Sequence, residues 1–100
     1  MNVYETLVAG RELLSDEAHW CQGAGARDRQ GRRVDPDSDQ AVQFCAVGAI
    51  TRKRSGSWNA YEYLRKAAKG PVSLINDHQG HAAVLELYDQ AIALAKEEEK

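Results

Sequence analysis

The chain has 100 residues, with 15 acidic and 13 basic side chains and a formal net charge of -2 at pH 7. This length predicts a single domain over residues 1–100 that can fold without disulfide bonds or a structural metal. No apolar stretch approaches the roughly 20 residues of a membrane span, and the first residues lack a secretory signal, so we expect a cytoplasmic protein without membrane contact. The small net charge excludes a global attraction to nucleic acid or to anionic lipid.

The composition favours helices over sheets. Fifteen residues are alanine and one is phenylalanine. Alanine is the strongest helix former, whereas a large sheet needs aromatic and β-branched residues, so we predict a mainly α fold. The two cysteines, Cys21 and Cys45, are expected to stay reduced in an intracellular chain.

The first part of the chain predicts a helix followed by a hairpin. Asn2 and Glu5 have the spacing of a capping box at the start of a helix over about residues 3–17. Residues 21–36 then lose the helical period, and Asp28-Arg29-Gln30-Gly31 has the composition of a turn. A short β-hairpin is therefore expected between helices 1 and 2.

A second helix is expected over about residues 35–56. Acidic residues and Pro36 stand at its start, Arg52-Lys53-Arg54 follow near its end, and Gly56 can terminate it. Gly48 would lie inside this helix, where its small size would let a neighbouring helix approach closely.

The last part of the chain predicts two more helices joined by a link and a turn. Ser57 would cap helix 3, which ends at Gly70-Pro71 and has one face formed by Trp58, Tyr61, Leu64 and Ala68. Residues 72–75 would be extended, and residues 76–80 would form a turn. The final helix has an apolar stripe formed by Val84, Leu87, Tyr88, Ala91 and Ala95. The expected architecture is a compact four-helix domain with a short β-hairpin or loop between helices 1 and 2.

Several segments together form a family pattern: Trp20-Cys21-Gln22-Gly23, the Asp28 turn, Phe44-Cys45-Ala46-Val47-Gly48-Ala49-Ile50, Ile75-Asn76-Asp77 and Val84-Leu85-Glu86-Leu87. With these segments the chain resembles a family of short bacterial and phage proteins of unknown function. The resemblance extends over nearly the whole chain. It implies a small α-rich fold and brings no established activity.

Cys45 is the sharpest candidate for chemistry, and its role depends on where helix 2 begins. If the helix begins near Asp35, the thiol lies in the third turn among apolar neighbours and is a buried packing atom with a high pKa, which is the preferred interpretation. If the helix begins at Cys45 itself, free backbone N–H groups would stabilise a thiolate. His78 or His81 could then act as a base, oriented by Asp77 or Asn76.

Asn76 and Asp77 are more simply explained as capping residues, and with Trp20 and Cys45 they could line one shared pocket. No metal or other cofactor is expected. The histidines and cysteines at His19, Cys21, Cys45, His78 and His81 lack the spacing of a zinc site.

Two groups of basic residues form a candidate basic surface. The first comprises Arg27, Arg29, Arg32 and Arg33, and the second comprises Arg52, Lys53 and Arg54. If Arg32, Arg33, Arg52 and Arg54 were adjacent, they could bind phosphates. Nearby aspartates dilute this charge, so nucleic-acid binding is disfavoured.

The sequence as a whole favours a noncatalytic interaction or accessory module. The family resemblance implies an association with phages. The module would act as a monomer or homodimer with an unknown protein partner. The first alternative is a Cys-dependent hydrolase or transferase using Cys45 with His78 or His81. The second is a nucleic-acid binder that uses the two arginine groups.

Overall fold

The computed structural model describes residues 2–52 and 57–98. Over these residues the chain forms five α-helices and three two-residue strands: α1 (Val3–Leu14), β1 (Ala26–Arg27), β2 (Arg33–Val34), β3 (Gln43–Phe44), α2 (Ala46–Thr51), α3 (Ser57–Ala68), α4 (Val72–His78) and α5 (His81–Glu98). The mainly α fold class is confirmed. The predicted four-helix arrangement is not, because residues 72–78 form an additional helix.

The core lies between α1, α3 and α5, with α5 packed against both of the others. The predicted stripe of α5 is confirmed, since all five of its residues are buried: Val84, Leu87, Tyr88, Ala91 and Ala95. The Tyr88 hydroxyl donates to the carbonyl oxygen of Ala46 and so ties α5 to the first residue of α2. None of the helices over residues 2–52 and 57–98 is long and apolar enough to span a bilayer.

Helix α1 begins as predicted and ends earlier. Its capping box is complete, because the Asn2 side chain accepts from Glu5 N at 2.8 Å and the Glu5 carboxylate accepts from Asn2 N at 3.2 Å. The helix stops at Leu14 and not near residue 17, because Ser15 turns its hydroxyl back to the Glu12 carbonyl. Asp16 then caps a separate 3₁₀ turn, Glu17–His19.

The predicted hairpin is confirmed, and it belongs to a larger sheet than expected. Strands β1 and β2 pair antiparallel across the Asp28 turn, and β3 pairs antiparallel with the other side of β1. The Asp28 carboxylate is buried, which raises its pKa, but bonds from Arg32 and from Gln30 N outweigh burial and hold the pKa below its usual value. This carboxylate therefore remains ionised and fastens the turn.

The predicted second helix over residues 35–56 is wrong. Asp35 and Ser38 use their side-chain oxygens to accept from the N–H two residues further on, which replaces a helix with two successive turns. Val42 N then donates to Arg27 O at 2.9 Å, so the chain runs extended along β1 until Phe44. Only Ala46–Thr51 is helical; the expected end at Arg54 and Gly56 lies outside the described residues.

The predicted extended link and turn over residues 72–80 are also wrong. Pro71 is the N-cap of α4, and the helix turns Val72 and Asn76 toward the interior, where they are 1% and 2% exposed. The predicted end of α3 is confirmed, since that helix stops at Ala68 before the Gly70-Pro71 pair. The predicted Ser57 cap concerns a side chain outside the described structure.

Candidate functional site

Asn76 is a buried polar side chain with all of its hydrogen-bonding capacity used. Its Oδ1 accepts from Trp20 Nε1 at 2.7 Å and from Ala46 N at 2.9 Å. Its Nδ2 donates to Cys21 O and to Asp77 Oδ1, each at 3.0 Å. A carboxamide has two acceptor and two donor positions, so this group is fully satisfied. Asn76 therefore joins α4 to α2 and to the segment before β1.

Asn76 lies where two paired segments of the chain, one at residues 20–21 and the other at residues 44–46, separate from each other. Trp20 and Phe44 form a parallel bridge, and Cys21 N donates to Phe44 O at 3.0 Å. The next rung of such a ladder would join Ala46 N to Cys21 O. The Asn76 amide bonds to both of these groups instead, and so acts as an inserted peptide unit where α2 turns away.

Cys45 is the N-cap of α2, in extended conformation, and its Sγ accepts from Gly48 N at 3.2 Å. The preferred mid-helix position was wrong, and the helix begins where the alternative expected it. The surroundings of the thiol nevertheless disfavour a thiolate. Burial raises the pKa of the Cys45 thiol. The negative charge of Asp77 raises this pKa further, whereas the hydrogen bond from the Gly48 N–H lowers it. Burial also raises the pKa of Cys21 to about 11.

Neither candidate histidine is bonded to the Cys45 thiol within the part of the chain that the structure describes. His81 Nε2 donates to Leu14 O at 2.6 Å, and its ring lies 5.6 Å from that of Trp20. His78 is exposed at the end of α4.

Three of the described arginines of the candidate basic surface stabilise loops. Arg27 donates to the carbonyl oxygens of Gln22 and Gly31, and Arg32 forms an ion pair with Asp28 at 2.9 Å. Arg52 donates to Pro36 O at 2.6 Å and to Ser38 O, and its guanidinium lies 4.9 Å from the centre of the Phe44 ring.

Arg33 is exposed in β2, while Arg54 lies outside the described residues. Within the part of the chain that the structure describes, no three His, Cys, Asp or Glu side chains come together as metal ligands.

The structure shows a surface depression that sequence reasoning missed. A cleft of about 280 Å³ is lined by Cys45, Asn76, Asp77 and the backbone of the 23–25 loop. It adjoins an open groove of about 520 Å³ that is lined by Thr51, Trp58, Tyr61 and Pro71. Val47, Val72 and Ser73 line both parts. We call the whole depression the α4 groove, with a polar end at Asp77 and an aromatic end at Trp58.

Trp58 is the residue of this groove whose exposure the sequence did not indicate. The sequence predicted that Trp58, Tyr61 and Leu64 share one face of the helix, and along that face Trp58 is 68% exposed while Leu64 is fully buried. The Trp58 and Tyr61 rings pack on each other with centroids 5.6 Å apart at the open end of the groove. The available signal was the position of Trp58 in the first turn of α3.

Fold and site together define a small, mainly helical domain with a three-stranded sheet, an asparagine-centred hydrogen-bond cluster and an open groove beside α4. The chain belongs to a family of unknown function, DUF6197, whose model matches residues 1–94. The family membership expected from the sequence motifs is thus confirmed; an origin in bacteria or phages stays a prediction. Comparisons with curated proteins and with solved structures return no match.

Proposed function

We propose that this chain is a noncatalytic binding module that receives an apolar side chain of a protein partner in the α4 groove. The exposed Trp58 beside Tyr61 is the observation that carries the proposal. Exposed aromatic side chains lining an apolar groove are typical of interaction sites, since they bury a large area at a small cost in conformational entropy.

The hydrogen-bonding of the reactive side chains supports a noncatalytic role. Cys45 accepts from Gly48 N, Asn76 has four partners, and His81 is bonded to the end of α1. A nucleophile needs a base within hydrogen-bond reach and a thiol pKa near or below the working pH. The raised pKa of Cys45 argues against the hydrolase or transferase alternative.

The second alternative, nucleic-acid binding, has less support. Arg27, Arg32 and Arg52 are bonded to carbonyl oxygens or to a carboxylate of the chain itself. Phosphate binding requires basic side chains that can release counterions, and an arginine that already neutralises a carboxylate contributes little.

We expect binding of an apolar peptide to depend on Trp58. The probe is the uncharged peptide acetyl-Gly-Gly-Leu-Phe-Gly-Gly-amide, titrated into ¹⁵N-labelled protein and followed by NMR. Shift changes should centre on Val47, Val72 and the Trp58 indole, and Trp58→Ala should weaken binding about tenfold or more. Because Trp58 is mostly exposed, its loss should change the free energy of unfolding by less than about 0.5 kcal/mol.

Leu74→Ala provides the matched control. Leu74 is 54% exposed on the same helix as Val72 but does not line the groove. Its replacement should leave peptide affinity unchanged. Equal losses for Trp58→Ala and Leu74→Ala, or shift changes scattered over the surface, would contradict the assignment of the site.

A further inference from the structure

We propose that the α4 groove selects a protein segment in which a lysine or arginine lies two positions from a large apolar residue. The cationic group binds at Asp77 and the apolar side chain binds at Trp58. This inference rests on the proposed function, and it names the partner's chemistry.

The carboxylate of Asp77 is held in a fixed orientation at the polar end of the groove. Its Oδ1 accepts from Gly23 N and from Asn76 Nδ2, each at 3.0 Å. Because Asn76 is itself immobilised by Trp20, Cys21 and Ala46, the carboxylate cannot easily turn away. The bond from Asn76 is the largest influence on Asp77 and lowers its pKa, so the group is ionised at neutral pH.

The charges around Asp77 leave the polar end acidic. The residues that line this end of the groove contribute no lysine or arginine, and their other titratable group is the thiol of Cys45. The Arg27 guanidinium lies near Gly23 and is already bonded to the Gln22 and Gly31 carbonyls. His78 is the next residue of α4 and adds positive charge only when it is protonated.

The walls between the two ends suit the stem of a long cationic side chain. Val47 and Val72 line both parts of the groove, and an aliphatic stem can lie against them while its charged head reaches Asp77. Gly23 and Gly25 form the opposite edge of the polar end without side chains, and Gly23 has a φ of +78°, which favours glycine.

Val72 lines both parts of the groove, so its distance from Asp77 along α4 gives the scale for the spacing of the two anchors. Asp77 lies five residues beyond Val72 on α4, which is about 7.5 Å along the helix axis at a rise of about 1.5 Å per residue. Side chains at positions i and i+2 of an extended segment point to the same side and are about 6.6 Å apart. A basic residue, any residue and an apolar residue therefore have a spacing close to that between Asp77 and Val72, and the probe peptides use this spacing.

The test compares three peptides that differ at one position. The probes are acetyl-Gly-Lys-Gly-Phe-Gly-amide and its counterparts with norleucine or glutamate in place of lysine, titrated by NMR into the wild type, Asp77→Asn, Trp58→Ala and Leu74→Ala. Norleucine keeps the apolar stem without the charge. Asparagine at position 77 keeps the Oδ1 acceptor for Gly23 N and Asn76 Nδ2, so the fold should persist.

We expect the wild type to bind the lysine peptide about fivefold more tightly than the norleucine peptide and to bind the glutamate peptide most weakly. Asp77→Asn should abolish the difference between lysine and norleucine while keeping the norleucine affinity. Trp58→Ala should weaken binding of the lysine and norleucine peptides alike, and Leu74→Ala should weaken neither. Added salt should reduce the lysine preference.

The outcomes separate this inference from the proposed function. Equal affinity for lysine and norleucine peptides, both lost in Trp58→Ala, would overturn the charge selection and leave the groove assignment standing. A lysine preference that persists in Asp77→Asn would overturn the role of Asp77. Failure of the lysine and norleucine peptides to bind the wild type would overturn both proposals.

Discussion

Replacing Asn76 with alanine is expected to lower the free energy of unfolding by about 3 to 5 kcal/mol, the largest effect of any single substitution proposed for this chain. The change leaves three buried or half-buried groups without their partner: Trp20 Nε1, Ala46 N and Cys21 O. Each unsatisfied group costs about 1 to 3 kcal/mol, and the smaller alanine also leaves space where the amide was packed.

Urea unfolding monitored by circular dichroism measures this cost. His78→Ala is the matched control, because His78 is an exposed residue of the same helix and its loss should cost under about 0.5 kcal/mol. Trp20→Phe removes one of the donors to Asn76 Oδ1 and should have an intermediate effect. A cost below about 1 kcal/mol for Asn76→Ala would show that the cluster does not hold the segments together.

Gly48→Ala is expected to destabilise the protein by about 2 to 3 kcal/mol. A Cβ at this position would lie 2.0 Å from the carbonyl oxygen of Gly25, a backbone atom that is itself bonded to Cys45 N at 3.1 Å. Neither the backbone at Gly25 nor that at Gly48 can move away without breaking the hydrogen bond from Cys45 N at the start of α2. The small residue is required, but the close neighbour is a loop and not the helix that the sequence led us to expect.

Gly70→Ala is the control for this prediction. A Cβ at Gly70 would meet no atom within 4 Å. Its substitution should therefore leave the thermal midpoint close to that of the wild type, whereas Gly48→Ala should lower the midpoint by about 8 °C or more. Equal midpoints for the two variants would mean that α2 and the 23–25 loop are not in contact in solution.

The elements predicted correctly from the sequence are those set by local interactions. The capping box at Asn2, the turn at Asp28 and the apolar stripe of α5 each depend on residues within a few positions of one another. Such features can be recognised without knowledge of the remaining chain.

The elements that the sequence misassigned depend on distant partners. Residues 35–44 carry helix-start signals, yet Asp35 and Ser38 form turns, and β3 exists because β1 offers a free edge. Residues 72–78 are helical because the core accepts Val72 and because Trp20, Cys21 and Ala46 satisfy Asn76. A buried asparagine with four partners from three segments leaves no periodic signal.

The sequence indicated only some of the residues that line the cleft. The sequence indicated that Trp20, Cys45, Asn76 and Asp77 could share one pocket; the structure brings Cys45, Asn76 and Asp77 to one cleft and places Trp20 behind them as a donor to Asn76. The sequence could not show that an open groove lined by Trp58 adjoins this cleft, because that depends on how α3 and α4 pack.

The account depends most on Cys45 being a capping group and not a nucleophile. The direct measurement is the pH dependence of its alkylation by iodoacetamide in the folded protein, with Cys21 and Cys45 quantified separately by peptide mass spectrometry. We expect slow modification of Cys45 whose rate still rises above pH 9, as burial raises the pKa above the free-thiol value of about 8.5. Fast modification that reaches a plateau below pH 7 would reveal an activated thiolate and would contradict the noncatalytic assignment.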